Sequence, residues 1–329
     1  MVRMNEYSFP HIPLYLYLAA TYARFLAAGR CLGMPIRLVI QTQSFCNARC
    51  AICPYATVSQ RLDQGAMEWD LFARIVDEAA SAQLVRTVRF DLQSEPLLNK
   101  EILGWVKHVK SASPSKYCII STNGELLDRF SLADIRESGL DLLAISLSAH
   151  SREVYEAVNC GLDYDRVMRN VSRVLSDPQL KQRTRLNFVV TEENMHDVDR
   201  AVEYWDSRGV RTLVSRLQNR AGSLDSYDRL RLRRDAPAGR VPARIRRGFR
   251  PSPRNAAGCA LPFYQMPVLF NGDVLLCCHD WNRAVVVGNA RHSSLREIWN
   301  SARMNETRRL LLRRCYEKID SCRECSLVR

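Results

Sequence analysis

The stretch RLVIQTQSFCNARCAICPY, residues 37–55, decides how the rest of the chain is read. Its first seven residues, Arg37–Gln43, form a β-rich run, and three thiols follow at once on a short loop: Cys46, Cys50 and Cys53, spaced x3 and x2. Three is the informative count. A structural zinc site takes four protein ligands, and a four-iron cluster normally takes four cysteines. Three thiolates leave one iron open, and the amine and carboxylate of an amino acid are able to chelate it. The plainer readings are three buried cysteines, or a zinc site that borrows a distant fourth ligand. The position directly after a strand argues against both.

Outward from this stretch, β-rich runs alternate with helical patterns. Further strands are predicted at Thr87–Gln93, Tyr117–Asn123, Leu142–Ala149, Arg185–Thr191 and Thr212–Gln218. Between them, Met67–Ala82 places Phe72, Ile75, Val76 and Ala79 at helical spacing, and Asp165–Leu175 does the same with Val167, Val171 and Val174. Strand–helix alternation predicts an α/β fold with a parallel sheet, and six such units make a partial (β/α)6 barrel. Barrels of this kind carry their chemistry in loops after the C-terminal ends of strands. The polar motifs fall there: Ser94-Glu95-Pro96 follows the second strand, Ser121-Thr122-Asn123-Gly124 ends the third, and Ser146-Leu147-Ser148 ends the fourth.

With 329 residues and 47% apolar composition, the chain has room for one large domain and a smaller one. The formal charge of +13 is concentrated, with ten arginines between Arg229 and Arg254. Such a patch says less about partners than a basic fold would. Twelve cysteines in a chain of this length suit metal ligation better than a secreted disulfide scaffold. The apolar run Ile12–Ala28 is interrupted by Arg24 and falls short of the roughly 20 residues that a membrane span needs. It also lacks a clean signal-peptide cleavage site. The chain therefore reads as a cytoplasmic protein that does not enter a membrane.

The expected organisation is an amphipathic N-terminal segment (1–36), a barrel (37–220), a basic linker or crossover rich in Arg, Pro and Gly (221–258), and a small C-terminal domain (259–329). The last contains short apolar runs at Met266–Phe270, Val274–Cys277 and Val285–Val287, then a helix opened by a Ser294-x-x-Glu297 capping box. It also holds a second thiol pattern: Cys259-x12-Gly272-x4-Cys277, then Cys322-x2-Cys325. Four ligands are available, and from spacing alone zinc and an iron–sulfur cluster fit equally well.

The CNARCAICPY string, its spacing and its neighbours resemble the radical S-adenosylmethionine superfamily, and the resemblance extends over most of the chain. It implies that Cys46, Cys50 and Cys53 hold a [4Fe-4S] cluster whose open iron binds the methionine end of S-adenosylmethionine. Glu95, in QSEPLL, matches the acid of the family's Gly-Gly-Glu-Pro motif, where a carboxylate holds the cofactor's ammonium group. Gln93 and Ser94 stand in place of the two glycines. Ser121, Thr122 and Asn123 resemble the ribose-contacting strand end, with Ser146 and Ser148 where a second polar set meets the cofactor. Ile52 lies where relatives often place an aromatic and reads here as packing. NGDVLLCCHDW, followed by VVVGN, SLREIW and CREC, resembles the auxiliary-cluster (SPASM) domain in its short, single-cluster twitch form. The implied cofactors are thus two [4Fe-4S] clusters, the second held by Cys259, Cys277, Cys322 and Cys325, and S-adenosyl-L-methionine.

The chemistry implied is electron transfer to S-adenosylmethionine, release of methionine, and hydrogen abstraction by a 5′-deoxyadenosyl radical. Single-auxiliary-cluster relatives, the aminocyclitol dehydrogenases and aminoglycoside epimerases, imply a sugar or aminocyclitol-type substrate in natural-product biosynthesis. Its hydroxyl-bearing carbon is oxidised to a ketone or epimerised. Oxidation passes the substrate electron to the auxiliary cluster, and epimerisation needs a thiol to return hydrogen. Outside the two sets remain Cys31, Cys118, Cys160, Cys278 and Cys315; Cys160 and Cys278 are the candidate hydrogen donors, and free cysteines also serve as small core residues. His279-Asp280, His150 and Asp163 are weaker candidates for acid–base roles. An electron donor such as flavodoxin or ferredoxin is the implied partner. Two rival readings are modification of a ribosomally made peptide and a zinc- and arginine-dependent nucleic-acid binder. Only 36 residues precede the first strand, where a peptide-docking module would need roughly 80. The arginine stretch contains one aromatic, Phe249, and no nucleic-acid docking motif.

Overall fold

The computed structural model describes residues 14–31, 33–232, 241–242, 245 and 259–328. The six predicted strands form as β1 (Arg37–Ile40), β2 (Thr87–Phe90), β3 (Tyr117–Thr122), β4 (Leu142–Ser146), β5 (Thr184–Val190) and β6 (Arg211–Arg216). Each pairs in parallel with its sequence neighbour. The strands stop one to three residues earlier than the apolar pattern suggested, because the tail residues leave the ladder to build the site loops. β6 is one edge, and its Arg211, Ser215 and Arg216 are exposed.

Period-two alternation splits the strands into two faces. Leu38, Ile40, Val88, Phe90, Ile120, Leu143, Ile145, Leu186 and Phe188 point into the main core under the helices. The helix Trp69–Ser81 buries Leu71, Phe72, Ile75, Val76 and Ala79, and Tyr164–Ser176 buries Val167, Val171 and Val174. Phe72 packs on Trp105 with ring centroids 4.2 Å apart, and burying such a ring contributes roughly 1.5–3 kcal/mol. The alternate positions face away from the helices and are partly polar: Arg89, Ser121, Arg185 and Asn187 lie on this inner face.

The sheet does not end at six strands. β7 (Gln265–Val268) pairs in parallel with β1, so the C-terminal region continues the barrel sheet instead of starting a separate one. β8 (Asp273–Leu275) and β9 (Val286–Asn289) then add antiparallel, giving the order β6-β5-β4-β3-β2-β1-β7-β8-β9. The β7–β8 turn needs Gly272, which has φ 91° and whose absent β-carbon would lie 2.8 Å from Asn289 Oδ1. The capping box forms as expected: Ser294 Oγ accepts from Glu297 N, and Glu297 accepts from Ser294 N at 2.9 Å. Glu78, from the barrel, accepts from Leu295 N and Arg296 N at 2.8 and 2.9 Å, so a barrel carboxylate holds the start of the C-terminal helix.

The N-terminal helix Leu14–Ala28 packs on the entry to this region, with Tyr22 and Phe25 against Phe263 at 4.7 and 5.7 Å. The start of the expected exposed linker is instead packed. Leu224 and Leu230 join Leu217 in a small apolar cluster that also contacts Ala51, Ile52, Val189 and Tyr227, and Ser226 Oγ donates to Ala51 O at 2.8 Å. Its apolar residues had been outweighed by the arginines around them. Most of Arg229–Arg254 lies outside the described residues; Arg229 itself pairs with Glu193, and Arg231 with Asp228 at 2.9 Å. Among the described residues no helix is long and apolar enough to cross a membrane.

Candidate active site

The loop after β1 is fixed from several sides. Cys46 N donates to Tyr55 Oη at 2.9 Å, Arg49 N to Cys160 O at 2.8 Å, and Ala51 N to Val158 O at 2.9 Å. Asn47 donates to Glu125 Oε2 at 2.6 Å and accepts from Asn123 Nδ2 at 2.9 Å. Glu125 also accepts from Asp163 N at 2.7 Å, so one buried acid ties the cysteine loop to the end of β3. Burial, aided by Glu95 and Cys53, pushes the Cys46 thiol up to about 12. Cys50 and Cys53 also move upward, first through burial, and Cys50 is acted on by Cys53, Cys46 and Cys160. Cys50 Sγ lies 3.9 Å from Asn159 Oδ1.

Glu95 is brought to this loop. Its N–H donates to Phe45 O at 2.9 Å, and its carbonyl accepts from Gln43 Nε2. The carboxylate accepts from Thr122 Oγ1 (2.6 Å), Asn123 N (2.8 Å) and Leu97 N (3.0 Å). Burial nevertheless pushes its pKa up to about 7. A buried carboxylate with three donors and, among the described residues, no ion-pair partner suits a ligand ammonium group. Cys46, Cys50, Cys53, Glu95, Thr122 and Asn123 thus gather at one end of the barrel, with the Thr122 hydroxyl engaged by Glu95.

The remaining polar candidates are arranged differently. Ser121 faces the inner wall, where it accepts from Arg89 Nη2 at 3.2 Å and lies beside Asp91. Asp91 pairs with Arg89, which holds its carboxyl below the usual range against the cost of burial. Ser146 ends β4 opposite Asn187, and Arg185 Nε donates to Asn187 Oδ1 at 2.9 Å. Ser148 has φ 56° and turns to β5: its hydroxyl accepts from Val189 N at 3.2 Å, and its carbonyl from Asn194 Nδ2 at 2.8 Å. Asp163 caps the helix that starts at Tyr164, accepting from Arg166 N at 3.0 Å, and the His150 ring lies 5.2 Å from that of Tyr204.

The C-terminal cysteines come from three separate places. Cys259 precedes β7, Cys277 follows β8, and Cys322 and Cys325 lie at the chain's end. Burial and mutual proximity push Cys259 and Cys322 up to about 12, with Cys277 and Cys325 also raised. Asn219 holds the terminal segment to the end of β6, its N–H donating to Ser326 Oγ at 3.1 Å and its Oδ1 accepting from Ser326 N at 2.8 Å. Among the described residues no three His, Cys, Asp or Glu side chains are gathered around a single ion-sized point; the thiols of each set sense one another over longer range. None of the twelve cysteines forms a disulfide. Soft thiolate sets of three and four suit iron–sulfur ligation, and a cationic cluster would draw off the protons that burial retains.

Of the candidate hydrogen donors, Cys160 points its thiol at Ala157 O, 3.2 Å away, in the turn behind Cys50. Cys278 packs against Val39, Leu92, Leu269 and Leu275, on the inner side of β1 and β7. His279 is buried, and burial together with Arg220 pushes it down to about 3, so it is neutral. The Asp280 carboxylate shapes its own loop by accepting from Ala284 N (3.0 Å) and Val285 N (2.8 Å). Sequence reasoning passed over Asn47, Glu125 and Asn159, and noted Gln93 only as standing in place of a motif glycine. The first lies between two cysteines and the second directly after a strand-end motif, which is the signal that was there to follow.

A parallel barrel with three thiols after its first strand and a buried acid after its second defines a radical S-adenosylmethionine enzyme, and the chain belongs to that superfamily: residues 40–204 match the Radical SAM superfamily. Residues 259–326 match the SPASM iron–sulfur cluster-binding domain. It is an S-adenosylmethionine-binding iron–sulfur enzyme. Among curated proteins it is similar to the S-adenosyl-L-methionine-dependent 2-deoxy-scyllo-inosamine dehydrogenase of Niallia circulans, 24% identical over 88% of this chain and 92% of that protein. A GTP 3′,8-cyclase of Heliobacterium modesticaldum is 35% identical over 34% of each. Its fold is similar to BtrN in complex with AdoMet and 2-DOIA (TM-score 0.61, 21% identity, 89% of this chain and 93% of that one). It is also similar to Streptococcus suis SuiB bound to precursor peptide SuiA (TM-score 0.66, 18% identity, 93% and 72%).

Proposed function

We propose that the chain oxidises or epimerises a hydroxyl-bearing carbon of a sugar or aminocyclitol-type substrate. The observation that carries this reading is similarity along 88% of the chain to a dehydrogenase acting on such a compound. The inner wall agrees with it: Arg89, Asp91 and Ser121 on one side and Arg185, Asn187 and Ser146 on the other offer donors and acceptors to a hydroxyl-rich ring. We assign one [4Fe-4S] cluster to Cys46, Cys50 and Cys53, and an auxiliary one to Cys259, Cys277, Cys322 and Cys325. The barrel is then residues 37–220 and the auxiliary region 259–329. When bound, the first cluster and S-adenosylmethionine supply a hydrogen-abstracting radical.

The chain's own residues do the positioning. Glu95 holds the cofactor's ammonium group, while Asn123, Ser121, Ser146 and the Ser148 backbone line the path toward the substrate. Cys278, on the inner side of the sheet, is the better-placed donor if the product is inverted, and Cys160 the poorer. An electron donor of the flavodoxin or ferredoxin kind supplies the reducing equivalent.

The test is anaerobic reconstitution and incubation with dithionite, S-adenosylmethionine and a panel of aminocyclitols and amino sugars in deuterated water. A ketone supports oxidation. An inverted carbinol carrying solvent deuterium, lost in Cys278→Ala, supports epimerisation through that thiol. Turnover of peptides and of no carbohydrate would overturn the proposal.

A further inference from the structure

Gln93 stands where the family's motif has glycine, and its backbone keeps the conformation that a glycine would adopt freely, with φ 51°. A side chain in this left-handed region is strained, and this one is 6% exposed. Its contacts account for its presence. Nε2 donates to Asp280 O at 2.8 Å, and Oε1 accepts from Arg283 Nε at 3.4 Å. Arg283 in turn donates from Nη1 to Asp63 O at 3.0 Å, in the segment between the first cysteine loop and the helix that starts at Trp69.

The short segment 93–95 therefore touches both cysteine regions. At its far end Glu95 N donates to Phe45 O, next to Cys46. At its near end Gln93 holds the carbonyl of Asp280, three residues after Cys277 and two after Cys278. Asp280 then closes its own loop through Ala284 N and Val285 N. The path from one thiol set to the other runs through two backbone hydrogen-bond acceptors and a single side chain.

We propose that Gln93 is a positioning residue that ties the Glu95 loop to the Cys277–Cys278 loop and fixes where the second thiol set lies relative to the first. The proposal rests on the two-cluster reading above. A glycine there would satisfy the backbone but remove this tie, leaving the second loop to its own Asp280 bonds and to Arg283 on Asp63 O.

The experiment uses the full chain in a Cys46/Cys50/Cys53→Ala background, reconstituted so that only the auxiliary site holds iron. Two substitutions separate strain from contact. Gln93→Gly relieves the left-handed strain and removes the tie; Gln93→Glu keeps the size and the Arg283 contact but sets a carboxylate against the Asp280 carbonyl. Amide exchange across 277–287 is expected to rise about tenfold in both. The midpoint potential of the auxiliary signal, followed by electron paramagnetic resonance, should shift in both, while Gln93→Gly melts no lower than its parent. Faster exchange with an unmoved potential would make Gln93 a packing residue and overturn the positioning role. Unchanged exchange would overturn the tie itself. If the background binds zinc or no metal, the two-cluster reading fails, and exchange in the protein as isolated decides on Gln93 by the same criterion.

Discussion

The two thiol sets are built in opposite ways. Cys46, Cys50 and Cys53 share one loop whose backbone is held by Tyr55, Val158, Cys160 and Ser226, and whose Asn47 is gripped by a buried Glu125. Cys259, Cys277, Cys322 and Cys325 come from three segments that only the finished fold brings together, by way of β7 pairing with β1, the Gly272 turn and the Asn219–Ser326 clasp. The first set should keep its shape without its cluster. The second should depend on the group it holds.

The largest effect should separate the sets by stability. Replacing Cys259, Cys277, Cys322 and Cys325 with serine should cost the reconstituted protein roughly 3 kcal/mol or more, since the bound group cross-links distant segments. The Cys46/Cys50/Cys53→Ala variant should melt close to wild type. Equal losses in thermal denaturation would erase the distinction.

Glu95 sharpens it next. Its raised value means that burial favours the protonated form, so this contribution to stability is present below about 4.5 and is lost as pH rises through about 7. Metal-free Glu95→Gln has no charge to bury. It should gain on wild type by up to about 3 kcal/mol between about pH 5 and pH 8, and the gain should narrow when S-adenosylmethionine is added. An offset independent of pH in denaturant titrations would contradict this assignment.

A smaller loss is expected at Asn47. Alanine there leaves Glu125 Oε2 without its 2.6 Å partner and should cost about 1–3 kcal/mol. Amide exchange should rise in the cysteine loop and not in 277–287. The smallest change tests the C-terminal seam: Ser294→Ala should cost about 1 kcal/mol, with Glu78 still holding Leu295 N and Arg296 N. A loss several times larger would mean that the seam depends on the capping box more than on the barrel carboxylate.

Much of the molecule is legible in its sequence because local pattern carries it. The six barrel strands, the helices Trp69–Ser81 and Tyr164–Ser176, and the capping box follow from periodicity and spacing that neighbouring residues enforce. What is not legible depends on long-range pairing. A run such as Met266–Phe270 reads as an apolar strand whether it starts a new sheet or joins β1, and only the register Leu38↔Met266 decides. Leu224 and Leu230 read as part of an arginine-rich linker until Ala51 and Ile52 supply the surface they cover. Among site residues, cysteines and Glu95 stand out by chemical type. Asn47, Glu125 and Gln93 act through partners 78, 78 and 187 positions away; their places beside motifs mark them as near the site, but local sequence does not name those partners.

The most direct measurement is iron content and 5′-deoxyadenosine formation after anaerobic reconstitution, on wild type, the Cys46/Cys50/Cys53→Ala variant and the Cys259/Cys277/Cys322/Cys325→Ser variant. Two sites predict about eight irons per wild-type chain and about four in either variant, with S-adenosylmethionine cleaved by wild type and the C-terminal variant only. Stoichiometric zinc in the C-terminal set, or cleavage that survives loss of Cys46, Cys50 and Cys53, would contradict the account.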